Sequence, residues 1–318
     1  MTMADARRPF RLAHISDLHI GPLPPVTPRD LLSKRFLGYL SWRTRKRRIH
    51  RIEVLAALAR DLRASAPDHI VITGDLVNLG LPAEFIRAGA WLRELGTPEW
   101  ISVVPGNHEA YVRIGRDRSL AHWADFMTSD VAAPPGRAVA GDFPYLRRRG
   151  PLAIIGLSTA VATPPGFATG LLGEEQLEAL ERLLAGLADE DCCRVLLLHH
   201  PPLEGACTWR KRLIDAPAFR RIVSYRGADL ILHGHEHVPV NGMIEGCERR
   251  IPVRSVPSAS SLDTRPQRRA RYQIYVIERT ASGWATSSEG RGYDLASASF
   301  VPLPAASWSS SSNSASAC

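Results

Sequence analysis

The chain has 318 residues, of which 45% are hydrophobic and 23% charged, with a formal net charge of +8 at pH 7. These proportions are those of soluble globular proteins; they exclude fibrous, collagen-like and disordered classes, and the length suits one continuous catalytic core. Five cysteines, an odd number with Cys192 and Cys193 adjacent, exclude a disulfide framework or a zinc knuckle and point to a reducing, cytoplasmic setting.

Residues 1–9 are short and polar, and the apolar run after them is broken by His14 and Asp17, so neither a signal peptide nor a membrane span is expected. A strand predicted over residues 11–15 leads into Ser16-Asp17-Leu18-His19. Alternation along an extended strand would put Asp17 and His19 on one side, a two-pronged grip for a cation, although Asp-x-His also occurs as an ordinary turn.

Residues 22–51 follow as an insertion. Nine Lys or Arg lie between Arg29 and Arg51 against one acid, Asp30, which accounts for the whole positive excess. Leu32, Phe36, Tyr39 and Trp42 recur near helical spacing, so an amphipathic helix is expected, with an apolar face opposite a basic one. Such a helix lies in the interface of an anionic membrane or docks on its own core with the basic face solvated. A further helix is predicted over residues 49–64.

A strand over residues 70–73 ends in Gly74-Asp75, with the carboxylate at its carboxyl end, where open α/β sheets bind ligands. The helix Pro82–Leu95 opens with proline, which suits a first turn. A strand over residues 100–104 ends in Pro105-Gly106-Asn107-His108-Glu109. The Asn107 amide oxygen there can bind a cation without adding the negative charge that would repel a phosphate.

Helix 119–127, strand 152–158 and helix 173–187 come next. Strand 195–198 delivers His199-His200-Pro201-Pro202; after helix 216–225, strand 230–232 delivers His233-Gly234-His235-Glu236-His237. Beyond residue 250 the texture changes to strands at 251–256, 271–277 and around Trp284, without helices between them. Residues 305–318, nearly all Ser, Ala and Asn, are expected to be a disordered tail. Alternating short apolar runs and helical segments predict a layered α/β protein, with a catalytic domain over residues 10–290.

The ordered series Asp17-x-His19, Gly74-Asp75, Gly106-Asn107-His108-Glu109, His199-His200-Pro201 and Gly234-His235-Glu236-His237 resembles the calcineurin-like metallophosphoesterases, all five blocks being present in order over residues 11–277. The resemblance implies a four-layer α-β-β-α sandwich of two mixed sheets, with the site where the strands end. It also implies a two-metal phosphoester hydrolase whose nucleophile is a hydroxide bridging the ions. By matching position, Asp17, His19 and His237 would hold one ion, Asn107, His199 and His235 the other, and Asp75 both. His108 would be the catalytic non-ligand that serves the leaving oxygen, and His200 a neighbour of ligands or substrate.

An all N and O donor set suits Mn, Fe, Zn or Co, with manganese or an iron–manganese pair favoured. Within the family the chain looks most like small bacterial phosphodiesterases of the cyclic-nucleotide type, from which it departs in carrying Glu109 where Asp is usual. The expected partner is therefore a cyclic nucleotide or similar small phosphodiester. The basic insertion adds a second reading, a lipid-linked phosphodiester cleaved at the inner face of the membrane, and ranks third a nuclease or nucleic-acid binder, because one local run lacks the groove and aromatic platforms of strand binding.

Overall fold

The computed structural model describes residues 8–130, 142–281 and 283–304. Its strands in chain order are β1 (Phe10–Ile15), β2 (His69–Ile72), β3 (Ile101–Val103), β4 (Tyr145–Arg149), β5 (Leu152–Gly156), β6 (Cys193–Leu197), β7 (Leu230–His233), β8 (Val240–Glu245), β9 (Arg250–Ser255), β10 (Arg271–Thr280), β11 (Gly283–Asp294) and β12 (Ser299–Pro302). They form two six-stranded sheets, ordered β12-β11-β10-β1-β2-β3 and β4-β5-β6-β7-β9-β8. β1, β2 and β3 pair in parallel, as do β5, β6, β7 and β9, while the remaining neighbours are antiparallel.

Side-chain alternation sets the layers. Ile154, Val195, Leu197, Leu230 and Leu232 pack into the same apolar core as the strands of the first sheet. Their neighbours Ala153, Ile155, Leu196, Leu198 and Ile231 face the other way, onto α5 (Glu174–Gly186) and α6 (Ala216–Arg226) through Leu180, Leu184, Phe219 and Val223. On the first sheet, α3 (Ile52–Ser65) contributes Val54, Leu55, Leu58 and Leu62, and α4 (Pro82–Leu95) contributes Phe85, Ala88 and Leu92. Strands buried on both faces read as continuous apolar runs, which is why they are visible in the sequence. The result is the four-layer α-β-β-α sandwich expected.

Several elements differ from expectation. β4 and β8 are sheet edges in which polar or basic residues interrupt the apolar ones, and β12 is four residues long, so none has an apolar run to announce it. β11 and β12 carry the first sheet past residue 290, so the expected domain boundary falls short by one strand. Residues 120–127 form a 3-10 segment kinked at Trp123 rather than an α-helix. α3 begins at Ile52, not residue 49, because His50 and Arg51 take extended backbone and His50 bridges to Ser261. The tail at 305–318 lies outside the described residues.

The insertion is helical from Arg35 to Ile49 as α1 (Arg35–Ser41), a π-helical turn Trp42–Lys46 and α2 (Arg47–Ile49). The expected division into an apolar and an opposite basic face is wrong. Leu32 precedes the helix; Phe36, Leu37 and Leu40 are exposed; Trp42 and several cations turn inward. The cause is hydrogen bonding: Arg35 donates to the Leu79 and Gly80 carbonyls (3.0 and 2.5 Å), and the Lys34 ammonium to Thr163 Oγ1 and the Phe167 carbonyl (2.6 and 2.8 Å).

Candidate metal centre

The β1–β2 pairing continues into the loops beyond both strands. Backbone N–H groups of Asp17, His19 and Ile20 donate to the carbonyls of Gly74, Asp75 and Leu76 at 3.0, 2.9 and 2.8 Å. Asp17 (φ 53°), His19 (φ 43°), Asp75 (φ 55°), His235 (φ 78°) and His237 (φ 54°) all sit in the left-handed region. For residues other than glycine this costs on the order of 1–3 kcal/mol each, and it persists only where the surroundings impose it. The strand-face argument for Asp17/His19 and His235/His237 is thereby corrected. These pairs lie beyond the strand ends, and the left-handed turns, not extended alternation, bring them together.

Glycine makes the turns possible. Gly74 has φ +91°, and a Cβ there would lie 2.6 Å from Gly106 N; a Cβ on Gly106 would lie 2.3 Å from Asp75 Oδ1. The loops are then tied by two buried carboxylates. Glu109 accepts N–H groups from Asp75, Leu76, Val77 and Gly106 (2.8, 2.8, 3.1 and 2.6 Å), and Glu84 accepts those of Asn78, Leu79 and Leu81 (2.8, 2.9 and 3.0 Å). Burial, then the charge of Asp75, raises Glu109 to about 7.

All eight residues singled out in the sequence converge. On one side His237 Nε2 lies 3.1 Å from Asp17 Oδ1 and 3.3 Å from His19 Nε2. On the other, Asn107 Oδ1 lies 3.1 Å from His199 Nε2 and 2.8 Å from His235 Nδ1. Asp75 Oδ2 stands between them, 3.9 Å from His19 Nε2 and 3.4 Å from His199 Nε2. His108 is 3.9 Å from the same oxygen, and its Nδ1–H donates to the Asn78 carbonyl.

This donor set fits a pair of cations. His19 Nδ1–H donates to the Val77 carbonyl (3.2 Å) and His199 Nδ1–H to that of Thr73 (2.6 Å), which leaves the Nε2 lone pairs aimed inward. Asp17 Oδ1 is buried and faces His237 Nε2 at 3.1 Å, two donor atoms turned to the same space. Burial alone would lift the Asp75 carboxyl, but His199, His108 and His19 outweigh it and hold it well below the usual carboxylate range. Burial pulls His199 down, yet Asp75 lifts it to about 10. His108 is lowered to about 4 by burial and then by Lys46.

His200 is otherwise engaged: Nδ1 faces Thr159 Oγ1 at 2.7 Å and Nε2 faces the Ala168 carbonyl at 3.1 Å, so its ring packs behind His199 and His235. His233 turns its Nδ1 to the Gly234 carbonyl. Two groups from the insertion went unread in the sequence. His50 is buried with its ring 4.5 Å from that of His19, and His19, His50 and His237 offer nitrogens all within 4.8 Å of one another. Lys46 places Nζ 3.3 Å from His108 Nε2. Their spacing, Lys46 and His50 at i and i+4, is the one signal the sequence held.

Residues 10–239 match a protein family, calcineurin-like phosphoesterase. The chain is 27% identical over 186 residues to a Synechococcus protein named "Probable cyclic nucleotide phosphodiesterase", covering 57% of this chain and 62% of that one. It is 33% identical over 204 residues to a cAMP/cGMP dual specificity phosphodiesterase of Mycobacterium tuberculosis, covering 61% and 54%. The match thus spans less than two thirds of either relative. Among solved structures, a dimetal phosphatase from Danio rerio superposes with a TM-score of 0.59 at 13% identity, over 93% of this chain and 99% of that one. A purple acid phosphatase from yellow lupin gives 0.51 at 13%, over 89% and 51%; at such identity the likeness is one of fold.

Proposed function

The chain belongs to the calcineurin-like phosphoesterase family, and from that premise we propose that it is a metal-dependent hydrolase of phosphodiesters, with a cyclic nucleotide or another small phosphodiester as substrate. The observation that carries this reading is the position of Asp75 Oδ2 between two clusters of N and O donors. Asp17, His19 and His237 would hold one ion and Asn107, His199 and His235 the other, with Asp75 placed to serve both. Both relatives named above act on cyclic nucleotides by their names, which favours that substrate class.

Two ions of Mn, Fe, Zn or Co, with manganese or an iron–manganese pair preferred by this donor chemistry, would when bound acidify a water for in-line attack and neutralise charge on the phosphate. The protein's own residues do the rest. Asn107 binds without adding negative charge, so the anionic substrate is not repelled. His108, fixed by Asn78, presents Nε2 beside the departing oxygen, with the Lys46 ammonium 3.3 Å from that nitrogen. No serine or cysteine nucleophile is required.

The test is hydrolysis by manganese-loaded protein of cyclic AMP, an aryl phosphodiester, a glycerophosphodiester, a phospholipid and single-stranded DNA. Cyclic AMP and the aryl diester should be cleaved, and Asp75→Asn should abolish both. Cleavage of DNA or phospholipid alone would replace the substrate assignment, and full activity in Asp75→Asn would refute the centre.

A second reading, action at a membrane surface, is favoured by one observation: Leu32, Phe36, Leu37 and Leu40 are 85%, 53%, 51% and 50% exposed beside the exposed Arg43, Arg45, Arg47 and Arg48. Apolar side chains flanked by arginines suit an anionic lipid interface. No described helix is long and apolar enough to cross a membrane. Co-sedimentation with anionic vesicles that is lost on replacing the three helical residues Phe36, Leu37 and Leu40 by serine supports it; absence of binding by the unaltered protein excludes it.

A further inference from the structure

Helix α1 and the π-helical turn after it wall a cavity of about 280 Å³ that opens beside the metal centre and is lined by Trp42, Lys46, Asn107, His108, Tyr111 and Phe167 among others. Lys46 is the last residue of the π-helical turn, a wide-turn geometry that often occurs where a side chain is aimed at a functional site. Its ammonium has three donors. One meets His108 Nε2 at 3.3 Å, and among the described residues no carboxylate lies within ion-pair distance of it. The carboxylates that act on it are the buried Asp75 and Asp17, whose charge two bound ions would neutralise.

A partly buried cation with unfilled donors, facing a cavity at the edge of an anion-processing centre, calls for an anionic ligand. The segment is also held so that Lys46 does not wander. At the near end Arg35 is bonded to the Leu79 and Gly80 carbonyls, and Gly38 packs so closely that a Cβ would lie 2.4 Å from the Tyr111 hydroxyl. At the far end His50 Nδ1 pairs with Ser260 Oγ at 2.9 Å, while Leu262 N donates to the Ile49 carbonyl at 2.8 Å.

We propose that Lys46 is a substrate-binding residue: delivered over the site by residues 35–50, its ammonium contacts a non-bridging oxygen of the scissile phosphate while keeping its bond to His108. The insertion is then part of the phosphate site, and the ester arm of the substrate lies in the cavity between Trp42, Tyr111 and Phe167. This inference rests on the phosphodiesterase reading above.

The experiment measures binding of inorganic phosphate to manganese-loaded protein by calorimetry. Lys46→Met, which keeps the stem and removes the charge, should weaken phosphate about 10–100-fold, the worth of one charge-assisted hydrogen bond, with two ions still bound. Lys46→Arg should recover most of the loss. In a His108→Asn background Lys46→Met should still weaken phosphate, because a lysine that only steadied His108 would have nothing left to lose. Unchanged phosphate affinity in Lys46→Met, or no further loss in the His108→Asn background, overturns the proposal and leaves the phosphodiesterase reading intact. Wild-type protein that binds neither phosphate nor manganese overturns both.

Discussion

At the scale of single residues, Asp75 carries the largest consequence because two clusters depend on one carboxylate. Asp75→Asn keeps the volume and removes the charge that lifts His199 to about 10. We expect at most one tightly bound ion per chain by elemental analysis and a loss of aryl phosphodiesterase rate of at least about 100-fold, above what losing a supporting neighbour of a metal ligand costs. Gly106→Ala tests the turn instead of the charge. Its Cβ would lie 2.3 Å from Asp75 Oδ1 and 2.7 Å from Asp75 N, both in the strained loop, so the backbone must shift. Overpacking of this kind costs about 1–3 kcal/mol in urea unfolding, and displacement of Asp75 should reduce metal binding even where the fold survives.

Which residues would gather at the strand ends was legible because Asp, Asn and His stand out against apolar strands. How they meet was not. The left-handed conformations of five of them follow from loop pairing and from Glu109 collecting four N–H groups, and no residue between 15 and 20 announces such a backbone.

At the scale of elements, the insertion separates what a pattern can predict from what packing decides. Helical spacing revealed a helix, but its orientation was set by carbonyls at Leu79, Gly80 and Phe167 that no local pattern shows. Consequently the apolar Phe36, Leu37 and Leu40 look outward, while the same segment feeds His50 into the cluster of His19 and His237. His50 Nδ1 is held by Ser260, and Nε2 makes no hydrogen bond among the described residues. His50→Ala should therefore lower the affinity for one ion about 10–100-fold, as loss of a group supporting a metal ligand does, while the Asn107, His199 and His235 side keeps its own. Stepwise manganese titration resolves the two affinities; two unchanged steps would make His50 a packing residue only.

At the scale of the whole molecule, the strands best seen in the sequence are those covered on both faces, and the buried histidines among them give the fold a pH dependence of its own. His14 and His69 are lowered to about 3 and His233 to about 4, each chiefly by burial. Their folded values lie below the unfolded value of 6.5, so between the two the unfolded chain binds more protons and stability rises with pH. It is fully present above pH 6.5 and drains as pH falls toward 4. Glu109, raised to about 7, Glu84, raised by burial, and His199, raised to about 10 by Asp75 against its burial, act oppositely and remove stability as pH rises, but they are three groups against at least five, because His108 and His200 are lowered to about 4 and 3 as well. Metal-free protein should therefore lose thermal stability on going from pH 7.5 to 5. His69 isolates the effect, since it opens β2 at the end of the strand away from the metal centre, with Nε2 on Ser102 Oγ of β3 at 2.8 Å. His69→Gln keeps a polar partner for Ser102 and cannot titrate, so the slope of unfolding free energy against pH should flatten by up to about 1.4 kcal/mol per pH unit. An unchanged slope would mean that His69 is already charged in the fold, in conflict with its burial.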